Sequence, residues 1–253
     1  MKQEIKIFFT ALMFFTRIPC PKWVDHSPDY LSKSSRYFPL VGLIVGCIGA
    51  LTYHAASFIF PNAIAILLSM ISTILTTGAF HEDGLGDMFD GFGGGWTREK
   101  ILLIMKDSRT GTYGIVGLIA VLSLKFAALL YLDPNHIPVV LITGHALSRF
   151  AASTLLYTLD YVRDEDQSKA KPAAQKMSGT SLIIAAFFGI TPLLLFFNPL
   201  IFLVLIPVFA MRAYLGAFYK KWIGGQTGDC GGATQQLCEV IYYLSLLVIW
   251  KFI

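Results

Sequence analysis

Apolar positions gather in long blocks along this chain, without the two-residue alternation of a half-buried strand. The blocks cover residues 37–60, 62–80, 113–132, 137–159, 180–197, 199–219 and 237–253. Most approach the ~20 residues that a helix needs to cross the hydrocarbon core of a bilayer. A lipid-exposed backbone must satisfy its own hydrogen bonds, which in a chain of such blocks means helices. The pattern predicts an all-α fold: a polytopic integral membrane helical bundle of about seven transmembrane helices, forming a single domain over 1–253. Gly42, Gly46 and Gly49 in the first block are small residues that allow close helix contact.

Residues 2–18 carry Lys2 and Lys6 ahead of a short apolar run from Phe8. That run is too short to span, and no A-x-A cleavage site follows it. It predicts an amphipathic helix lying at the cytoplasmic interface. Residues 19–36, with Pro19, Pro21 and Pro28, read as a loop. Further along, 81–112, 160–178 and 220–236 read as polar loops. Asp133–His136 joins one pair of spans, and Asn198 alone separates another.

Charge orients this arrangement. Sixteen Lys and Arg residues fall in the N-terminal segment, 98–109, 163–176 and 220–221, whereas the alternate connections at 61, 133–136 and 198 carry none. The positive-inside rule then places the N-terminus in the cytoplasm and the C-terminus in the periplasm, as expected of a cell inner membrane protein. It also puts the Gly- and Asp-rich segments on one face. The chain is 55% hydrophobic and 14% charged, against about 25% charged in soluble domains. The net charge of +4 follows span ends and does not point to nucleic acid. Cys20, Cys47, Cys230 and Cys238 form no CxxC pair, so neither a disulfide framework nor a zinc site is expected. Cys47 reads as core packing.

The densest chemistry lies in residues 78–95, where Glu82, Asp83, Asp87 and Asp90 fall within nine positions among glycines. Asp83, Asp87 and Asp90 are spaced i, i+4, i+7 and share one face if helical. Carboxylates held so close repel one another and call for a cation. Oxygen donors of this kind suit Mg²⁺, Mn²⁺ or Ca²⁺. The alternative is a solvated acidic loop between two spans, which fits one or two acids better than four. His81 beside them is either a general base or a residue that hydrogen-bonds the loop.

Residues 98–114 set Arg98, Lys100, Lys106 and Arg109 beside Asp107 and Ser108, with Gly111 and Gly114 after them. Cations beside a metal-binding cluster suit a phosphoryl ligand, and exposed backbone amides before a helix add to this. Lys106, Asp107, Arg109 and Gly111 are the candidate contacts; a plain juxtamembrane basic loop is the alternative. The run Gly224–Gly232 contains Gln226, Thr227, Gly228 and Asp229 but no GK[ST], so it is not a P-loop. It reads either as a glycine hinge or as a segment binding ribose or phosphate, with Asp229 completing the metal site or orienting a hydroxyl. His145 and Arg149 lie i, i+4 inside a span. Ionisable residues there are functional candidates by default, and Arg149 either reaches the acidic cluster or pairs with a carboxylate for structure.

Four blocks together resemble one family. Phe14-Phe15-Thr16-Arg17-Ile18-Pro19, His81-Glu82-Asp83-Gly84-x-x-Asp87-x-x-Asp90-Gly91, Met105-Lys106-Asp107-Ser108-Arg109-x-Gly111-x-x-Gly114 and Gly224-Gly225-Gln226-Thr227-Gly228-Asp229-x-x-Gly232-Ala233, with Glu239 beyond, are similar to the bacterial cobalamin synthases (adenosylcobinamide-GDP ribazoletransferases). The resemblance spans nearly the whole chain. Glu82 and Gly231 depart from the family pattern, where Leu is expected at both. The resemblance implies transfer of the phosphocobinamide moiety of adenosylcobinamide-GDP to α-ribazole or its 5′-phosphate, with release of GMP. The carboxylate cluster adds Mg²⁺, with Mn²⁺ as substitute, at Asp83, Asp87 and Asp90, with Glu82 a further candidate ligand on its position alone, and a homo-oligomer or a complex with other corrinoid-pathway enzymes stays open. Two rivals remain. A CDP-alcohol phosphotransferase also uses spaced aspartates, but its D-G-x-x-A-R motif is broken by Asp87, and Asp90 follows too soon. An ion-coupled transporter would carry its acids mid-membrane; here they sit at span ends.

Overall fold

The computed structural model describes residues 2–21, 23–24, 27–163 and 176–251. Lys22, Lys169 and Lys171, which enter the charge argument, and most of the 160–178 segment lie outside the described residues. The chain forms helices α1 (Lys2–Phe15), α2 (Pro28–Ser34), α3 (Phe38–Ser57), α4 (Asn62–Thr77), α5 (Phe80–Gly94), α6 (Arg98–Ile104), α7 (Thr112–Leu130), α8 (Ile137–Thr158), α9 (Gly179–Ile190), α10 (Leu205–Ile223) and α11 (Gly228–Ile249). Six helical segments are long and apolar enough to cross a membrane, or seven if α4 and α5 count as one bent span. The expected all-α polytopic bundle is what the chain forms.

Several boundaries differ from the sequence reading. The acidic stretch is not part of a loop: 81–112 contains α5 and α6. The expected loop 220–236 shrinks to residues 224–227, because Thr227 caps α11 by accepting the Cys230 amide at 3.3 Å. That bond starts the last helix at Gly228, well before the apolar run at 237, since capping sets a helix start independently of hydropathy. Pro at the N-terminus of α2 begins a short helix within 19–36. Cys47 is exposed on α3, not packed in the core.

Small residues set the inner packing. A Cβ on Gly46 would stand 2.7 Å from the Ile142 Cα, so α3 and α8 touch through their backbones. Where lipid replaces water, such close van der Waals contact drives helix association. Leu75, Ile119, Ile183 and Ile206 point outward instead. Ile7, Ala11, Leu12 and Phe15 form the buried side of α1, and Phe15 stacks on Phe38 at 4.2 Å between centroids.

The bend between α4 and α5 positions the site. Gly78 and Ala79 both adopt left-handed backbone, at φ 65° and 58°, and α5 leaves α4 at 88°. Gly78 is the residue that tolerates this without a Cβ penalty. Its open side is filled by the Arg17 side chain, and the Arg17 amide donates to the Thr76 carbonyl at 2.7 Å. The N-terminal segment therefore braces the turn that aims α5 across the bundle.

Candidate active site

Asp83, Asp87 and Asp90 do lie on a helix, but their surroundings differ. Asp83 is exposed, Asp87 half-buried and Asp90 buried. The Asp90 carboxylate accepts the Gly111 amide at 2.6 Å and the Gly114 amide at 2.8 Å. It thus caps α7 from a different helix, satisfying donors that the first turn leaves open. Asp87 faces a collection of like charges: Asp229, Asp83 and Asp90 are all near enough to repel it.

Asp229 arrives there because α11 crosses α5 at glycine. A Cβ on Gly84 would stand 2.9 Å from the Asp229 Cα, and one on Gly232 would stand 3.2 Å from the His81 carbonyl. Two blocks distant in sequence are thereby joined, as the shared-face reading required. Among the described residues Arg163 stands against these carboxylates: it forms an ion pair with Asp229 and donates to the Met105 carbonyl at 2.9 Å, tying down the end of α6. Its Nε is buried and has no partner among the described residues.

Glu82 does not join the aspartates. It turns inward and accepts from Gln236 Nε2 at 2.8 Å, because a one-residue step along a helix rotates a side chain about 100°. His81 is also buried, with its ring nearly parallel to Phe38 at 5.5 Å. Arg149 stays away from the acidic face. It donates to His145 Nδ1 and to the His145 carbonyl, both at 3.0 Å, and lies over the Phe38 ring. Among the described residues Arg149 forms no ion pair with a carboxylate; its hydrogen bonds go to His145.

Arg109 is exposed and gripped by Asp107, with Nη2 to Oδ2 at 2.7 Å. The guanidinium holds the Asp107 carboxyl down to about 2. Gly111, two residues on, is bonded to Asp90, so chain length keeps the Arg109 backbone within about 8 Å of Gly111. Lys106 is exposed at the same edge. Gln226 and Thr227 are buried, and Gly228 faces open space. Gln226 is held by a short bridge to Tyr161, in which its amide donates to the Asp160 carbonyl at 2.9 Å.

The sequence reading missed Arg163, whose partner is 66 residues away; no local pattern marks it. It also left a buried network unassembled. Lys125 contacts Glu239 Oε1 at 2.6 Å, while Tyr243 and Gln235 donate to the same carboxylate at 2.8 Å and 2.6 Å. Opposite ionisable residues in separate apolar spans, Lys125 and Glu239, are the signal that announces such a pair.

Among the described residues, no three Asp, Glu, His or Cys side chains converge into a closed metal cage. The donors are nonetheless of the hard oxygen type, three of them around Asp87. Mg²⁺ commonly takes only one or two carboxylates and fills its shell with water and substrate phosphates. The residues therefore fit an ion shared with a phosphorylated ligand, not one fully enclosed by protein.

A model of the family described as cobalamin-5-phosphate synthase matches residues 7–247. The chain is 49% identical over 250 residues to the adenosylcobinamide-GDP ribazoletransferase of Shewanella frigidimarina, covering 98% of this chain and 96% of that one. It is 46% identical to the protein of that name from Shewanella oneidensis, covering 98% and 95%. The Shewanella amazonensis protein of the same name is 45% identical over 254 residues, covering 99% and 98%. No solved structure matches.

Proposed function

The chain belongs to the cobalamin-5-phosphate synthase family, and from that membership we infer that it is an adenosylcobinamide-GDP ribazoletransferase of cobalamin biosynthesis. The single observation that supports a site for this chemistry is the seating of Asp229 against Gly84, beside Asp83 and Asp87.

The reaction is a displacement at phosphorus. A ribose hydroxyl of α-ribazole, or of α-ribazole 5′-phosphate, which keeps its 5′-phosphate, attacks the phosphorus that stays with cobinamide. The bond from that phosphorus to the bridging oxygen breaks, and GMP departs with the electron pair. A hydroxyl acceptor gives up its proton, and Asp87, half-buried among like charges, is the group placed to take it. One or two of the carboxylates of Asp83, Asp87 and Asp229 would hold Mg²⁺ or Mn²⁺ together with substrate phosphates, and the ion would neutralise charge on the pyrophosphate. Asp90 keeps α7 in register beneath them. Arg163 fixes Asp229 and offers its unpartnered Nε to a phosphate oxygen, a fork geometry suited to phosphate. Lys106 and Arg109 stand at the exposed edge, where a large anionic substrate enters.

Purified protein incubated with adenosylcobinamide-GDP, α-ribazole and Mg²⁺ is expected to release GMP and a complete corrinoid in equal amounts. Absence of GMP would sink the assignment.

The basic asymmetry favours an inner-membrane protein whose carboxylate site faces the cytoplasm. Reporter fusions after Asn135 and after Arg163 are expected in opposite compartments; the same compartment for both would refute this orientation.

A further inference from the structure

α11 meets α5 along one of its faces. Asp229, Gly232 and Gln236 are spaced i, i+3, i+7 and share that face. Asp229 stands against Gly84, and Gly232 against the His81 carbonyl. Contacts at glycine bring two backbones close but offer no side chain that interlocks, so on their own they leave α11 able to slide or turn by small amounts. The third contact is of another kind. Gln236 Nε2 donates to Glu82 Oε1 at 2.8 Å, and both side chains are buried. Two further polar contacts hold α11 on its other sides: Gln235 donates to Ser148 of α8 at 3.0 Å, and Glu239 pairs with Lys125 of α7.

We propose that Glu82 and Gln236 are a positioning pair, whose hydrogen bond sets the register of α11 on α5 and so holds Asp229 beside Asp83 and Asp87. Their role rests on the transferase reading above, because that chemistry is what needs Asp229 in place. Stability is not what the pair supplies. Glu82 Oε2 and Gln236 Oε1 have no partner among the described residues, and a buried polar pair that is only half satisfied contributes no more than apolar side chains of the same shape. A directional bond does specify one alignment, as a single buried asparagine does in a coiled coil. An N–H···O bond keeps to about 2.7–3.2 Å, so a slide of about 1 Å breaks this one. A misplacement of about that size can cost a reaction about a hundredfold. Glu82, one helical position from Asp83, therefore acts through Asp229 and touches no ligand itself. Leucine, which the resemblance leads one to expect at 82, accepts no hydrogen bond, so this restraint is particular to a chain that carries Glu82.

Two double variants separate register from stability. Glu82→Leu with Gln236→Leu removes both partners and fills their space with apolar atoms. Glu82→Gln with Gln236→Glu keeps the bond and exchanges donor for acceptor. Each purified protein would be assayed for GMP release from adenosylcobinamide-GDP and α-ribazole, with thermal unfolding followed alongside. The leucine pair is expected to melt within about 3 °C of the wild type. Its kcat is expected to fall about tenfold or more, with the KM for adenosylcobinamide-GDP within about threefold. The exchanged pair is expected to recover kcat to within about threefold of the wild type. A wild-type kcat in the leucine pair would overturn the positioning role. So would an exchanged pair as slow as the leucine pair, because the bond itself would then not matter. A leucine pair that fails to fold would overturn it too, since Glu82 and Gln236 would then be holding the bundle together. In each case a wild type that still forms GMP keeps the transferase reading intact, so the two failures are distinguishable.

Discussion

The α-carbon of Asp229 lies 2.9 Å from where a β-carbon on Gly84 would sit. One hydrogen atom at position 84 therefore decides whether α11 can bring its aspartate to the acidic face of α5. Gly84→Ala must push the helices apart or tilt one of them. Overpacking of this kind costs about 1–3 kcal/mol, and the shift also moves Asp229 relative to Asp87. Turnover is expected to fall at least tenfold, since a ~1 Å misplacement can cost about a hundredfold, with a lowered unfolding midpoint in detergent. Wild-type kinetics in Gly84→Ala would show that the crossing is looser than this geometry.

Asp83 and Asp90 separate chemistry from support. Asp90 accepts the Gly111 and Gly114 amides, and Asn can accept with only one of its two terminal atoms. Asp90→Asn is expected to lose activity and also about 0.5–2 kcal/mol of stability, the range for a lost helix cap. Asp83 is exposed and makes no such bond among the described residues, so Asp83→Asn is expected to lose activity at wild-type stability. Thermal unfolding of both proteins checks this, and equal midpoints would remove the capping role of Asp90.

Glu239 joins α11 to α7 through Lys125 and is fully buried. Glu239→Gln leaves the Lys125 ammonium without its counter-charge, and breaking one side of a buried pair costs about 3–5 kcal/mol. Adding Lys125→Met is expected to recover much of that loss, because the uncompensated charge goes with it. Chemical unfolding of the single and double variants reads the effect. A single variant as stable as the wild type would mean that water already reaches the pair.

The spans were legible because lipid imposes one rule on every helix, and block length reports it. Boundaries were less legible where a single hydrogen bond decides them, as at Thr227 and Asp90. The face shared by Asp83 and Asp87 followed from helical spacing, and the meeting of the acidic block with Asp229 followed from the charge asymmetry that put both on one side. Glu82 was misplaced because adjacency in sequence is not adjacency on a helix. Arg163 was missed because its bond to Asp229 is made only by the tertiary fold, between segments with no shared pattern.

The central claim is that the acidic face of α5 and the first turn of α11 form one centre. GMP release by purified Asp87→Asn and Asp229→Asn proteins, measured across a Mg²⁺ titration, tests it most directly. Both variants are expected to lose at least a hundredfold in turnover, each with a higher Mg²⁺ requirement for what remains, on the scale of removing one group that stabilises transferred charge. Wild-type GMP release at wild-type Mg²⁺ dependence in either variant would contradict it.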